Sequence, residues 1–189
     1  MDILINCEFS GVVREAFRAK GHNAVSCDLL PTEIPGPHII GDAIVVARSR
    51  KWDAMIAFPP CTRLTLAGVR WLNERDLWDD MRRDAAFFLA LKNMDHIPRI
   101  ALENSQPHSY AMEIIGRYDW AMQPWEHGEP FTKRACIWTK NMVRITPTDI
   151  VPKHLRKAEC HMATPGPDRW KERSRTKPGI ARVMAEFWG

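Results

Sequence analysis

Two short apolar runs in this sequence end in residues able to do covalent chemistry. The first, Trp52-Asp53-Ala54-Met55-Ile56-Ala57-Phe58, runs into Pro59-Pro60-Cys61. The second, Ile100-Ala101-Leu102, runs into Glu103-Asn104. A thiolate is a strong nucleophile, and it needs a lowered pKa or a positioned partner to act. Paired prolines fix the backbone leading into Cys61, and a stiff loop holds a nucleophile better than a loose one. A carboxyl at the end of a neighbouring strand can bind or protonate a ring nitrogen. Such a pair suits addition of sulfur to carbon 6 of a pyrimidine, which makes carbon 5 nucleophilic. Alone, Cys61 reads more simply as a loop cysteine after a strand terminator. The Glu103-Asn104 pair tips the reading toward catalysis.

Placing these residues together requires strands that end on one edge of a sheet. Ile3-Leu4-Ile5-Asn6-Cys7 and Ala24-Val25-Ser26-Cys27 are β-type runs, the second reaching Asp28. Between them Val13, Ala16 and Phe17 have helical spacing, in a helix over 12–20 that Gly21 stops. A short helix is expected over Ala43–Arg50 and a long one over Asp76–Met94, with a further strand at Ala135-Cys136-Ile137-Trp138. Alternating strands and helices predict a Rossmann-like α/β fold, a mainly parallel sheet with helices on both faces. Ligands in such sheets lie beyond the carboxyl ends of the strands, where Glu8, Asp28, Asp42, Cys61 and Glu103 all fall. Residues 1–140 form the expected core. Residues 141–177 read as a basic, proline-rich loop or small lobe, and residues 178–189 as a C-terminal helix packing back on the core.

A chain of 189 residues suffices for one domain with a substantial core. No apolar stretch approaches the roughly 18–20 residues needed to cross a bilayer, so no membrane partner is expected. The start, Met1-Asp2-Ile3-Leu4, lacks the basic and apolar regions of a signal peptide, which points to the cytoplasm. Five cysteines without CxxC spacing argue against a disulfide framework and against structural zinc. His154 with Cys160-His161 matches no common zinc pattern, so no metal is expected. The absence of a Gly-x-x-x-x-Gly-Lys sequence argues against phosphoryl transfer from a nucleoside triphosphate. The net charge of +4 is concentrated late, in Arg169-Trp170-Lys171-Glu172-Arg173-Ser174-Arg175. Cations with an aromatic among them suit a nucleic-acid backbone, although a plain solvated loop has the same composition.

In order and spacing these motifs resemble the DNA cytosine-5 methyltransferases over about residues 1–110, and more closely the short phage-type members. Phe9-Ser10-Gly11 stands where that family has Phe-x-Gly, Pro59-Pro60-Cys61 where it has Pro-Pro-Cys, and Glu103-Asn104-Ser105 where it has Glu-Asn-Val. The terminal Pro178-Gly179-Ile180-Ala181 is also shared with the phage-type proteins. The resemblance implies S-adenosylmethionine as cofactor, held by Phe9, Ser10, Gly11, Asp28, Leu29, Asp42 and Pro59, and DNA as partner. It implies that Cys61 attacks carbon 6, that Glu103 meets ring nitrogen 3 and the amino group, and that Asn104 braces the nucleophile loop with Pro60. Lys133-Arg134 is the nearest counterpart of a basic strand by the target base. Arg134 is accordingly expected to be catalytic, and Lys133 to lie on the nucleic-acid side with Arg63, Gln106, His108, Arg169, Lys171, Arg173 and Arg175.

Three departures leave the substrate open. Val12-Val13-Arg14 follows Gly11 where the family has further glycines, and Ser105 replaces valine. Only Asn141 to Lys177 stands where the family has a large target-recognition domain. The target could be short or degenerate duplex DNA with help from a second subunit in a homodimer, single-stranded DNA, or a free pyrimidine nucleotide. A methyltransferase fold kept as a binding or interaction module is the non-enzymatic alternative.

Overall fold

The computed structural model describes residues 1–158, 166 and 169–189. Strand β1 (Asp2–Asn6), helix α1 (Val12–Ala19), β2 (Asn23–Asp28), β3 (His38–Ile40), α2 (Ala43–Arg48) and β4 (Ala54–Ala57) build the first half. Helices α3 (Arg70–Glu74) and α4 (Trp78–Lys92), then β5 (Ile100–Ser105), α5 (Ser109–Ile115), β6 (Trp120–Met122) and β7 (Ala135–Lys140) follow. Helices α6 (Arg169–Ser174) and α7 (Pro178–Trp188) close the chain. The strands form one seven-stranded sheet in the order β3-β2-β1-β4-β5-β7-β6. β1 to β5 pair in parallel, whereas β7 runs antiparallel to both β5 and β6.

Strand alternation explains why the sheet is covered on both faces. Leu4, Met55, Leu102 and Trp138 point into one layer, against Val46 of α2, Phe88 and Leu91 of α4, and Ile115 of α5. Ile3, Ile5, Ile56, Ala101 and Ile137 point into the other, against Val13 and Phe17 of α1 and Ile180, Val183, Met184 and Trp188 of α7. Burying each large apolar side chain in these layers is worth about 1.5–3 kcal/mol. Helix α7 is anchored at its end as well: the indole of Trp188 donates to Val143 O at 2.9 Å, and Arg99 donates to Trp188 O at 2.9 Å.

From β1 the chain winds outward through β2 to β3, then crosses to β4 and β5 on the opposite side. The carboxyl ends of β1 and β4 therefore diverge, opening the crevice in which such sheets take their ligands. Cys7 to Gly11 leave β1 there, and Phe58 to Cys61 leave β4 there. None of the described helices is long and apolar enough to cross a membrane.

Candidate active site

Gly11 opens α1 with a φ of 80°, a conformation that favours glycine. A side chain there would also stand 2.7 Å from Arg14 Nη2 and 3.0 Å from Ile34 Cβ. Arg14 is fully buried. Its guanidinium donates to Ser26 Oγ at 2.9 Å, Thr32 Oγ1 at 3.1 Å and Ile34 O at 2.5 Å, and it pairs with Glu15 at 2.7 Å. Glu33 N and Ile34 N in turn donate to Phe9 O and Ser10 O, at 2.9 and 3.2 Å. Where the resembling family has glycines, this chain lays residues 32–34 across the turn and pins them with one buried arginine.

Around this turn lie the residues expected on the cofactor side. Phe9 is buried, and its ring centroid is 6.1 Å from that of Trp170. Ser10 donates to Glu8 Oε1 at 2.6 Å, while Glu8 Oε2 is buried without a partner. Burial pushes the Glu8 carboxyl upward, against the hydrogen bonds of Ser10 and Val13. Asp28 ends β2 and takes Leu30 N at 3.0 Å; burial raises it too. Leu29 beside it is exposed. Asp42 caps α2 through Oδ1, accepting from Ile44 N at 2.8 Å and Val45 N at 3.0 Å. Its placement thus has a sufficient local cause, an N-cap, whatever else it binds.

Beyond β4 the nucleophile loop is fastened at several points. Pro59 is buried and Pro60 exposed. Asn104, itself buried, donates from Nδ2 to Pro59 O at 3.0 Å. Leu64 N and Thr65 N close a turn onto Cys61 O at 3.0 and 3.1 Å. The loop then runs antiparallel beside the extension of β5: Leu66 N donates to Gln106 O, His108 N donates to Leu64 O, and Thr65 bridges Pro107. His108 Nδ1 accepts from Ala111 N at 3.0 Å, so the ring proton sits on Nε2, which meets Arg63 O at 2.9 Å. Expected on the nucleic-acid side, His108 is instead buried with both nitrogens committed to the frame.

Cys61 and Glu103 are both part-buried, and the charge of Glu103 acts on the Cys61 thiol. Burial pushes the Cys61 thiol up, and the Glu103 charge pushes it further; Ser105, Lys133 and Arg173 pull it down. Burial also raises Glu103, with Lys133 opposing. Both groups are therefore biased toward their protonated forms at rest. Glu103 lines a cavity of about 20 Å³ with Pro124, Lys133, Ala135, Thr176, Lys177 and Ile180. That is room for about one water molecule.

Cations were expected from Lys133-Arg134, and the structure separates the two. Lys133 acts on both Cys61 and Glu103. Arg134 is exposed and turns to the Tyr118 hydroxyl at 3.0 Å, beside Gln106 and Cys136, so of the two cations it is Lys133 that acts on Cys61 and Glu103. Lys133 Nζ also donates to Arg173 O at 2.7 Å and Arg175 O at 3.3 Å, tying the basic segment down. A bidentate pair from Arg175 to Glu33, both contacts 2.7 Å, fastens the same segment beside the glycine turn. The run from Arg169 through Lys171 to Lys177 is thus a strap between the two sides of the crevice, not a freestanding loop. Arg63 is held by Asp80 and Asp84, each at 3.2 Å.

Sequence reasoning passed over one residue here, Arg14, read only as an interruption of the glycine pattern. The signal for Arg14 was a cation on the apolar face of a helix, between Val13 and Phe17. Among the described residues no group of three or more His, Cys, Asp and Glu side chains could hold a metal ion. Cys160 and His161 lie outside the described residues.

No protein-family model and no curated protein sequence matches this chain. Among solved structures it is similar to the Entamoeba histolytica methyltransferase EhMeth, with a TM-score of 0.53 and 12% identity, over 80% of this chain and 57% of that one. The chain thus spans a little over half the length of that protein. At this identity the likeness shows the fold: a Rossmann-like α/β sheet shared with a methyltransferase.

Proposed function

We propose that this protein transfers a methyl group from S-adenosylmethionine to carbon 5 of cytosine in DNA, through a covalent adduct on Cys61. The observation that carries the reading is that Cys61 follows β4 and Glu103 stands near the end of the adjacent β5, with the Glu103 charge acting on the Cys61 thiol and Lys133 acting on both. Cys61 gives its proton to solvent, and the sulfur bonds to carbon 6 as the carbon 5–carbon 6 double bond opens. The displaced electron pair reaches ring nitrogen 3, which takes the proton that burial keeps on Glu103. Carbon 5 of the resulting enamine is then the nucleophile toward the methyl group. Loss of the carbon-5 proton to a water molecule re-forms the carbon 5–carbon 6 double bond and expels the Cys61 thiolate, while ring nitrogen 3 returns its proton to Glu103. A base inside a duplex has to leave the stack for this chemistry.

The residues present fit the cofactor. The turn at Gly11 holds an orphaned buried polar atom, Glu8 Oε2, and carboxylates end β2 and cap α2 beside it. Asp28 would take the ribose hydroxyls, Asp42 the adenine amino group, and Phe9 the flat ring, with Ser10, Gly11 and Pro59 lining the turn. S-adenosylmethionine supplies an electrophilic methyl group; the chain's own residues hold and orient the base. The cavity at Glu103 is far smaller than a pyrimidine, so the strap residues Thr176 and Lys177 have to shift when a base enters. The small size of that cavity favours a second reading, a binding module that keeps the fold without turnover.

The test is incubation with S-adenosylmethionine and DNA containing 5-fluorocytosine, whose fluorine blocks the last step. A covalent protein–DNA adduct is expected, absent in Cys61→Ser. An adduct that persists in that variant would remove Cys61 from the mechanism. No adduct and no cofactor binding by calorimetry would leave the binding module.

A further inference from the structure

Helix α6 is six residues long and buries none of them. A helix so short has little stability of its own, so its position is set by what grips it. Lys133 Nζ holds the carbonyls of Arg173 and Arg175, at 2.7 and 3.3 Å. The bidentate pair from Arg175 to Glu33, both contacts 2.7 Å, ties the helix end to the loop over the glycine turn. That loop is bound to the turn in its own right, since Glu33 N donates to Phe9 O at 2.9 Å. Ser174 Oγ closes the last turn of the helix by donating to Trp170 O at 2.6 Å. These contacts bring the indole of Trp170 to the Phe9 ring, with centroids 6.1 Å apart and planes tilted at 51°. Phe9 is buried, whereas Trp170 keeps 52% of its surface exposed. Much of the indole is thus open aromatic surface, held beside the one aromatic ring of the glycine turn.

We infer that Trp170 is a cofactor-binding residue, an outer aromatic wall for the adenine ring of S-adenosylmethionine, with Phe9 as the inner one. The inference rests on the cofactor reading above. Phe9 stands at the turn and supplies one aromatic ring, and a flat heterocycle has two faces to cover. Aromatic side chains take nucleobases well because every base presents a π-face. By composition Trp170 is an aromatic among cations, which suits a nucleic-acid backbone equally well. Its placement favours the cofactor: the indole is fastened to the glycine turn through Arg175, Glu33 and Phe9, on the side of the crevice where β1 ends. A tryptophan reaching the turn from a segment more than 150 residues later lies beyond anything the spacing of the first motif could reveal.

The test is calorimetry on the full chain with S-adenosylhomocysteine, which keeps the adenine ring and cannot react. Trp170→Ala should weaken binding about tenfold, the size of one base–aromatic stack. Trp170→Phe, which keeps an aromatic face, should stay close to the original. The same ligand should quench tryptophan emission in the original protein and quench it less in Trp170→Phe, a signature that a purely structural role would not give. Thermal melting confirms that each variant is folded. Trp170→Ala binding as tightly as the original would overturn the inference, as would phenylalanine behaving like alanine or quenching that Trp170→Phe leaves unchanged. Unchanged cofactor affinity with weakened binding of a DNA oligonucleotide would overturn it too, and would place Trp170 on the DNA side. If the original protein binds no S-adenosylhomocysteine, the inference falls together with the cofactor reading. If the Trp170 effect appears but no fluorocytosine adduct forms, the inference stands and the proposed reaction falls.

Discussion

Asn104→Ala tests how much of the fastening of the loop after β4 comes from one buried amide. Asn104 is buried, and its Nδ2 makes one hydrogen bond, to Pro59 O at 3.0 Å. Removing the donor strands the Pro59 carbonyl, costing about 1–3 kcal/mol, and the void left by the amide adds on the order of 1 kcal/mol. The amide oxygen is already without a partner, so its loss offsets part of that cost. A net destabilisation of about 2–3 kcal/mol follows, out of a total of about 5–15 kcal/mol for a domain. For a chain of this size that lowers the melting temperature by about 4–12 °C. The effect should also be local. Hydrogen exchange should accelerate at Leu66 and His108, whose amides zip the loop to the end of β5, more than in β1. An unchanged melting temperature together with unchanged protection at those two amides would refute the claim that Asn104 braces the loop.

Glu103→Gln should separate stability from function. Burial raises the folded-state pKa of Glu103 above its ordinary 4.5. The stability linked to its proton is therefore full below that value and is lost as pH climbs through the folded pKa. The variant should match the original protein in acid, exceed it at neutral pH in urea unfolding, and form no adduct; identical pH dependence in the two proteins would contradict the assignment. Arg14→Met keeps the apolar stem but removes a buried guanidinium, leaving Ser26, Thr32 and the Ile34 carbonyl without their donor, while the part-exposed Glu15 keeps Arg18 at 3.9 Å. A loss of about 1.5–3 kcal/mol is expected, the size of hydrogen bonds from a charged donor, with weakened S-adenosylmethionine binding by calorimetry; a loss under about 0.5 kcal/mol, the ordinary range for a surface change, would mean that the loop over the glycine turn is held by something else.

How much of this was legible in the sequence depended on how local each cause was. β1, β2, β4 and β5 are short apolar runs bounded by turn residues, and nothing beyond their own composition was needed to find them. The three-residue β6 and the seven-residue α5 carry too few periodic positions to declare themselves. The antiparallel direction of β7 is set by the path through both, so the run Ala135–Trp138 announces a strand but not its orientation. His108 shows the limit for a polar residue: a histidine after Gln106-Pro107 looks like a surface ligand until two backbone groups claim its nitrogens.

Lys133 and Arg134 show a harder limit. Adjacent residues entering a strand face opposite ways, so only one of them can join Glu103, and composition favours neither. The choice is made far along the chain, where the carbonyls of Arg173 and Arg175 converge on Lys133 Nζ. Arginine could donate to the same carbonyls, but it would carry a wide planar fork into a cavity of about 20 Å³. Lysine brings a compact charge on a slim stem, and that charge acts on both Cys61 and Glu103. The identity of the cation at the reactive pair is therefore decided by how tightly the strap closes, a property of tertiary packing that no window of sequence around Lys133 contains.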